Sequence, residues 1–339
     1  MTGPHISGYA ALQQGAELTR FTYNALPLKQ NEVRIAISHC GICGSDIQGI
    51  DNVYGIVTYP FVPGHEVVGQ ISEVGAAVPP GRLGERVGVG WQGRACRQCD
   101  WCLQGDVHLC QDVAVNGSWT PYGGFSSSII VEESFAYPIP KTMPSEVAAV
   151  MMCAGFTVYN FLHKYRTTTG LKLAIVGIGG LGHLAIQFAK EMGYEVTAIS
   201  SSPGKYEQAM AFGADQFLAI TNRDAIRRSA YYFDLLYITA HGGIEWEYLL
   251  SILKKKGVMA ISGFPQVNFD SVDLVAHELS IVGSFLGTQV DMHSMLHFAQ
   301  ASRIQPMIEI MPMSQVNQAI QRVKQNLARY RIVLLNDIM

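Results

Sequence analysis

The glycine-rich segment at 177–182 constrains the fold more than any other part of the chain. It follows an apolar run at 171–176 and opens a helical pattern that continues to about Met192. Glycines in such a turn permit a tight bend and close backbone approach to a pyrophosphate, whose charge the helix N-terminus favours. The context predicts an α/β fold with a doubly wound parallel sheet. The residues predicted to bind the dinucleotide in this turn are Gly177, Ile178, Gly179, Gly180, Leu181 and Gly182.

Two different residue patterns divide the chain. Short β-branched runs punctuated by Gly and Pro occupy about 32–140 and predict a mainly-β region, whereas helix and strand alternate after Pro144. We therefore expect a domain at 1–144, a nucleotide-binding domain at 145–287, and a return to the first domain at 288–339. The run Lys254 to Lys256 is expected to cap a helix end. Strands are predicted at 171–176, 195–200, 216–219, 235–238, 257–262, 281–286 and 331–335, and helices at 145–165, 292–302 and 314–327.

Charge and composition exclude several functions. The chain of 339 residues has 24 Lys and Arg against 27 Asp and Glu, so a basic face for nucleic acid is not expected. The most apolar window, 171–189, carries Lys172 and His183, which argues against a membrane span. No secretory pattern opens the chain, and its cysteines cluster at short spacings, so we expect a reducing, cytoplasmic location.

Four cysteines follow the pattern C-x2-C-x2-C-x7-C. Thiolates at this spacing are typical of a tetrahedral structural zinc site without an open position. A zinc ribbon that binds nucleic acid is disfavoured, because only Arg94 and Arg97 accompany the cluster. Unligated free cysteines are the other alternative. The predicted structural zinc ligands are Cys96, Cys99, Cys102 and Cys110.

The remaining cysteines are Cys40, Cys43 and Cys153, and His65 lies between them in sequence. A catalytic zinc uses three protein ligands and keeps one open position, which two thiolates and an imidazole would suit. Taken alone this constellation is weak, because a single His or Cys is commonly a packed residue.

The turn after the second predicted strand of the nucleotide-binding domain lacks an acidic residue. A carboxylate there would hold the ribose 2′-hydroxyl of NAD. Hydroxyls and an ammonium can instead accept a 2′-phosphate, so NADP(H) is preferred over NAD(H), although an ordinary serine-rich turn is the simpler alternative. The residues concerned are Ser200, Ser201, Ser202 and Lys205.

Several motifs occur in order between about Val33 and Leu335. Together they resemble the zinc-dependent medium-chain dehydrogenase/reductase (alcohol dehydrogenase) family, cinnamyl alcohol dehydrogenase type. The resemblance implies a GroES-like mainly-β catalytic domain that holds two zinc ions, a Rossmann domain that holds NADP(H), and a cleft between them. The motifs are HCGIC at 39–43, YPFVPGHE at 59–66, the four-cysteine segment, CAGFTVY at 153–159, the glycine turn and SFLG at 284–287.

The resemblance also implies residue roles. Cys43, His65 and Cys153 would be the catalytic zinc ligands, with Glu66 beside the metal and counted with the metal-binding residues. Asp46 would orient the histidine, and Cys40 would be packed rather than ligating. Ser45 would pass on the alcohol proton and touch the cofactor ribose. Further implied cofactor contacts are Thr157, Thr239, Gly263, Ser284, Phe285 and Leu286.

The implied reaction is hydride transfer between NADP(H) and a primary alcohol or aldehyde, with zinc as Lewis acid. Two residues depart from the pattern. Relatives commonly have histidine where this chain has Gln48, so a proton relay that ends in histidine is in doubt, and release to water or through the cofactor ribose is expected instead. Gly44 before Ser45 and Asp46 is similar to the polyol dehydrogenase branch, which usually has Glu in place of Cys153.

Three alternatives for the function remain open. The leading one is an aldehyde reductase for aromatic or medium-chain substrates, with Tyr54, Trp91 and Phe285 as pocket walls or, equally, as core. An NAD-dependent, sorbitol-type polyol dehydrogenase is the second, and a non-catalytic nucleotide-binding protein is the third. The intact ligand set disfavours the third.

A homodimer paired along the strand at 281–286 is expected.

Overall fold

The computed structural model describes residues 5–117 and 122–338. The chain divides into two compact units. The first consists of the described parts of Met1–Cys153, Gly287–Gln300 and Pro306–Met339, and the second of Ala154–Leu286 and Ala301–Gln305.

The strands and helices follow the two residue patterns of the sequence. Within the described residues the strands are β1 His5–Ala10, β2 Thr19–Asn24, β3 Glu32–Gly41, β4 Glu66–Val74, β5 Arg86–Val89, β6 Gln92–Arg94, β7 Ala114–Val115, β8 Ser128–Glu132, β9 Tyr137–Pro138, β10 Lys172–Val176, β11 Glu195–Ser200, β12 Gln216–Ala219, β13 Phe233–Ile238, β14 Leu253–Ile261, β15 Ser280–Gly283, β16 Ile308–Pro312 and β17 Arg331–Leu335. The α-helices are α1 Gly44–Ile50, α2 Asp100–Leu103, α3 Ser145–Val150, α4 Phe156–Tyr165, α5 Gly182–Glu191, α6 Tyr206–Ala211, α7 Arg223–Arg228, α8 Trp246–Ile252, α9 Val272–Ala276, α10 Gln289–Ala301 and α11 Val316–Lys324. Single 3₁₀ turns lie at Pro80–Arg82, Val107–Leu109, Glu133–Phe135, Pro203–Lys205 and Met313–Gln315.

The first unit is built on a sheet with the strand order β16-β17-β3-β4-β5-β9, and β8 also pairs with β3. The β3–β4 ladder is antiparallel and carries Val33, Ile35, Val67 and Ile71, all fully or almost fully buried. Such β-branched side chains pack well on a pleated sheet. Strand β17 pairs antiparallel with β3, and this ladder places the last strand of the chain beside the HCGIC motif.

The second unit is a parallel sheet with the order β12-β11-β10-β13-β14-β15. Numbered within the unit this is 3-2-1-4-5-6, the order of a doubly wound nucleotide-binding sheet. The prediction of a Rossmann-type sheet is confirmed, and each predicted strand forms. The order reverses between β10 and β13, where such folds bind their ligand beyond the carboxyl ends of the strands.

One local prediction is wrong. Lys254, Lys255 and Lys256 do not cap helix α8, whose last turn holds no basic residue, but belong to the first part of β14. Lys254 lies 2.7 Å from Asp234 and Lys256 lies 3.4 Å from Glu278. Lys254 and Lys256 are thus paired with carboxylates in β14 rather than placed in the last turn of α8.

The helical segment predicted at 145–165 is not uniform. Helices α3 and α4 are joined by a π-helical segment, Met151–Gly155, which contains Cys153. The stretch Ser145–Tyr165 is long and apolar enough to cross a membrane by length and composition alone. However, 72% of its most apolar window is buried within the fold, as in a core helix.

Candidate active site

Asp46 joins two separate segments of the first unit. Its carboxylate is fully buried and accepts hydrogen bonds from the backbone N–H of Cys43 (2.8 Å) and of Gly64 (3.0 Å). It also lies 2.9 Å from Nδ1 of His65. The first contact belongs to the N-terminal turn of α1, which starts directly after Cys43. A single side chain therefore fixes both the cysteine and the histidine.

Four potential metal ligands lie close together, and Asp46 holds two of them. The donor atoms of Cys43, His65, Glu66 and Cys153 all lie within 4.8 Å of one another. The two sulfur atoms are 3.9 Å apart and both cysteines are free thiols. Because Asp46 occupies Nδ1 of His65, Nε2 is the ring nitrogen left for a metal. Two sulfurs, one imidazole and one carboxylate are a donor set that suits zinc.

The polarity around the thiols favours the charged form of one of them. A hydrogen bond from Cys153, helped by His65, lowers the pKa of Cys43 well below its usual value. The same contact raises the pKa of Cys153. Burial opposes the charged form of His65, but Asp46 and Cys43 raise its pKa above the usual value. Ser45 Oγ lies 3.1 Å from the sulfur of Cys43. The cluster is arranged to hold a positive charge at its centre.

Arg331 is a site residue that the sequence reasoning missed. Its Nη2 donates to Oε1 of Glu66, and both side chains are buried. Burial raises the pKa of Glu66 to about 7 although Arg331 opposes this shift, and Oε2 of Glu66 has no hydrogen-bond partner. A Cβ at position 41 would overlap that free oxygen, so Gly41 is required there. The available signal was an arginine at the start of the apolar strand β17.

The π-helical segment explains how Cys153 reaches the cluster. A π turn places an extra residue in the helix and is frequent at functional sites. Cys153 lies at its centre, between the fully buried Met152 and Ala154. The apolar pattern of the sequence fits a regular helix and does not indicate the π-helical segment.

The four-cysteine segment forms a second cluster in the first unit. The sulfurs of Cys96, Cys99, Cys102 and Cys110 lie within 4.8 Å of one another. Backbone N–H groups point at them: that of Cys96 at Cys110 (3.2 Å) and that of Cys99 at Cys96 (3.4 Å). Backbone N–H groups of Gln111 and Cys102 lower the pKa of Cys99 to about 6. The donor set fits a closed zinc site of four thiolates.

The glycine turn lies in the second unit between β10 and α5. Gly177 has a φ of +96°, and a Cβ there would approach Ala240 at 2.9 Å. A Cβ on Gly182 would overlap the carbonyl oxygen of Gly177, whereas Gly179 faces open space. Two glycines thus allow the tight turn, and the third leaves the surface clear. This arrangement fits a pyrophosphate at the N-terminus of α5.

The serine-rich turn lies beside the glycine turn. Ser200 is buried at the end of β11 and its Oγ accepts from the N–H of Ser202 (3.1 Å), while Ser201 and Ser202 are exposed. Lys205 Nζ donates to the carbonyl oxygen of Ile178. Exposed hydroxyls and an ammonium are therefore brought to the glycine turn, and no acidic side chain lies among residues 200–205. These groups fit a 2′-phosphate.

The other predicted cofactor residues lie in the second unit, except Ser45, which lies in the first. Thr239 Oγ1 donates to the carbonyl oxygen of Gly177 (2.7 Å), which joins the ends of β13 and β10. Gly263 has a φ of +90° directly after β14. Asn160 Nδ2 donates to the carbonyl oxygen of Leu286 (3.1 Å). The remaining positions are Thr157 at the start of α4 and Ser284 and Phe285 just after β15.

The proposed pocket residues are not equivalent. Trp91 is buried, whereas Tyr54 and Phe285 are about 40% exposed (40% and 39%). Trp91 and Tyr54 belong to the first unit and Phe285 to the second. Cys40 is fully buried in the apolar core, as expected for a packed cysteine.

Two family models match the chain. The alcohol dehydrogenase GroES-like domain matches residues 29–141, and the zinc-binding dehydrogenase model matches residues 180–301.

Similar proteins cover almost the full length. A probable cinnamyl alcohol dehydrogenase 8A of Oryza sativa subsp. japonica is 36% identical over 337 residues, which is 96% of this chain and 94% of the relative. An NADP-dependent alcohol dehydrogenase C 1 of Mycolicibacterium smegmatis is 34% identical over 97% of both chains. The solved structure of a cinnamyl alcohol dehydrogenase from Sorghum bicolor matches with a TM-score of 0.93 at 35% identity, covering 98% of this chain and 97% of that one.

The fold and the two sulfur-rich clusters define a zinc-binding dehydrogenase. The chain belongs to the zinc-dependent medium-chain dehydrogenase/reductase (alcohol dehydrogenase) family, cinnamyl alcohol dehydrogenase type. It is therefore an oxidoreductase of this family, and the predictions of family, fold class and enzyme class are confirmed.

Proposed function

We propose that the protein is an NADP(H)-dependent zinc alcohol dehydrogenase that acts mainly as an aldehyde reductase. The observation that carries this proposal is the convergence of Cys43, His65, Glu66 and Cys153 around one point. The NADP-dependent relative from Mycolicibacterium smegmatis supports the choice of cofactor. The exposed hydroxyls and the lysine of the turn at 200–205 support it independently.

In this proposal Cys43, His65 and Cys153 hold the catalytic zinc and Glu66 lies beside it, while the four clustered cysteines hold a structural zinc. A bound zinc ion supplies Lewis acidity toward the substrate oxygen, and bound NADP(H) supplies or accepts the hydride. Asp46 keeps the His65 proton on Nδ1, which leaves Nε2 as a ligand.

Ser45 is the proposed proton-transfer group. Its hydroxyl lies beside the ligand Cys43 and can both accept and donate a proton. Gln48 lies on the same helix but cannot titrate. Ser45 would therefore release the proton to water or to the ribose of a bound cofactor rather than to a histidine at position 48.

The second unit is the proposed nucleotide-binding domain. The glycine turn at 177–182 would hold the pyrophosphate, and the hydroxyls of Ser200, Ser201 and Ser202 with the Lys205 ammonium would hold the 2′-phosphate. The residues proposed to line the rest of the cofactor are Ser45, Thr157, Thr239, Gly263, Ser284, Phe285 and Leu286.

The proposed substrates are aromatic or medium-chain aldehydes and the matching primary alcohols. The relatives named as cinnamyl alcohol dehydrogenases support an aromatic substrate. The partly exposed rings of Tyr54 and Phe285 offer apolar contact. A polyol dehydrogenase is less well supported, because Cys153 contributes a thiol where that branch usually has a carboxylate.

The test is oxidation of NADPH and of NADH with cinnamaldehyde, benzaldehyde, hexanal and fructose, combined with zinc analysis. We expect NADPH with an apolar aldehyde to react fastest, about two zinc ions per chain, and loss of activity on chelation that zinc restores. Preference for NADH with fructose would instead establish the polyol reaction. Absence of turnover with every pair, in zinc-replete protein, would refute the enzyme proposal.

We also propose a homodimer in the cytoplasm. Strand β15 lies at the end of the parallel sheet and is free to pair with its counterpart in a second copy. None of the seven cysteines, all of which lie in the described residues, forms a disulfide, and this suits a reducing compartment.

A further inference from the structure

Helix α10 presents two histidines to solvent one turn apart. His293 and His297 are both exposed and four residues apart in a regular helix. Side chains at this spacing lie on the same face, with Cβ atoms roughly 5–6 Å apart. The opposite face of the helix packs into the first unit through Met292, Met295, Leu296 and Ala299.

The His293 ring contacts Tyr137, and its surroundings disfavour the charged form. Its ring lies edge-on to Tyr137, with the centroids 5.5 Å apart and the planes at 74°. Partial burial lowers the pKa of His293, and the neighbouring His297 and Arg82 lower it further. The neutral ring keeps a nitrogen lone pair that can bind a metal at neutral pH.

The arginine cations near this helix are paired with carboxylates. Arg82 is paired with Glu85 and Glu133, and Arg97, which donates to Gln289 at the start of the helix, is paired with Glu132. These two cations and three carboxylates have a net charge of −1.

We propose that His293 and His297 form a two-histidine chelate for a divalent transition-metal ion of the nickel, copper or zinc class. Imidazole nitrogen suits these ions, and water fills the remaining coordination positions on the exposed face. The chelate shares no residue with the two clusters described above. The inference does not depend on the proposed function.

The test is calorimetric titration of zinc-replete full-length protein with Ni²⁺. We expect one Ni²⁺ per chain at neutral pH, with affinity falling as the pH is lowered because a proton competes with the metal for the His293 lone pair. H293A and H297A should each weaken binding by about tenfold or more. The double variant S294H/H297S keeps two histidines in the helix but places them side by side, where they cannot chelate. It should lose affinity as the single variants do.

His163 provides the matched control, because it is an exposed helical histidine without a second histidine one turn away. H163A should bind Ni²⁺ as the unmodified protein does. Ni²⁺ affinity unchanged from the unmodified protein in H293A and H297A, or in S294H/H297S, would overturn the proposal. If an alanine variant fails to fold, H293Q and H297Q give the same comparison with a polar side chain retained.

Discussion

Asp46 is not among the proposed zinc ligands, but it holds groups on which the site depends. A buried carboxylate that accepts from two backbone N–H groups and a histidine is fully satisfied, and each partner depends on it. The carboxylate also fixes which nitrogen of His65 faces the two thiols. Loss of its charge would therefore act on the metal rather than on the fold alone.

We predict that D46N lowers catalytic zinc affinity and activity by about 10–100-fold, because metal-ligating histidines depend on such partners. Zinc analysis should show a fall from two ions per chain toward one, since the four-cysteine site is unaffected. D51N is the control, because Asp51 ends the same helix and pairs with Lys324 at 3.0 Å. Full zinc content in D46N would contradict the prediction.

The Glu66–Arg331 pair gives a second prediction at this scale. R331L leaves a buried carboxylate without its cation, which costs about 3–5 kcal/mol. The double variant E66Q/R331L should recover part of that loss, because no uncompensated charge remains. Urea unfolding of both single variants and the double variant measures the coupling. Strictly additive effects would show that the two groups do not interact.

At the scale of elements, sequence patterns predicted those features that repeat along the chain. Strands β10 to β13 are short apolar runs and formed within two residues of the predicted bounds, whereas β14 begins four residues earlier than predicted and β15 ends three residues earlier. The π-helical segment at Cys153 was not visible, because one extra residue in a helix leaves the apolar pattern nearly unchanged. Arg331 was missed since its partner Glu66 is 265 residues away. The lysine run was misplaced because strand β14 begins at Leu253, directly after helix α8, and includes the three lysines.

Asp215 links helix α5 to strand β11 and provides a pH-dependent prediction. Its carboxylate accepts from the N–H of Val196 (2.9 Å) and from Lys190. Burial opposes ionisation, but Lys190 and Val196 lower the pKa of Asp215 below 3.8 in the folded protein. The stability it contributes is therefore present above pH about 4 and is lost as the pH falls through the folded-state pKa.

We expect D215N to lower the free energy of unfolding by about 1 kcal/mol at pH 7, a small value because the carboxylate is partly exposed. The difference from the unmodified protein should shrink below pH about 4. Urea unfolding at both pH values checks this. D224N is the control, since Asp224 is 78% exposed and only loosely paired with Arg227. A pH-independent difference would rule out the ionic contribution.

At the scale of the whole molecule, the proposed homodimer depends on the edge strand β15. We predict that V282K separates the dimer, because a charged side chain on an edge strand blocks pairing between sheets. Light scattering after gel filtration should show the mass falling from twice 37.1 kDa to 37.1 kDa. V290K is the control, as Val290 is 73% exposed on α10. A dimer that survives V282K would exclude pairing through this strand.

The position of Arg331 has a consequence for the order in which the protein is made. Strand β17 follows every candidate zinc ligand along the chain, yet it inserts beside β3 and supplies the cation for Glu66. Before β17 is made, the nascent chain contains every candidate zinc ligand but lacks Arg331, the partner of the Glu66 carboxylate that becomes buried. The metal centre is thus complete only once β17 has been made, and a chain that ends before Arg331 would contain all its ligands without a complete site.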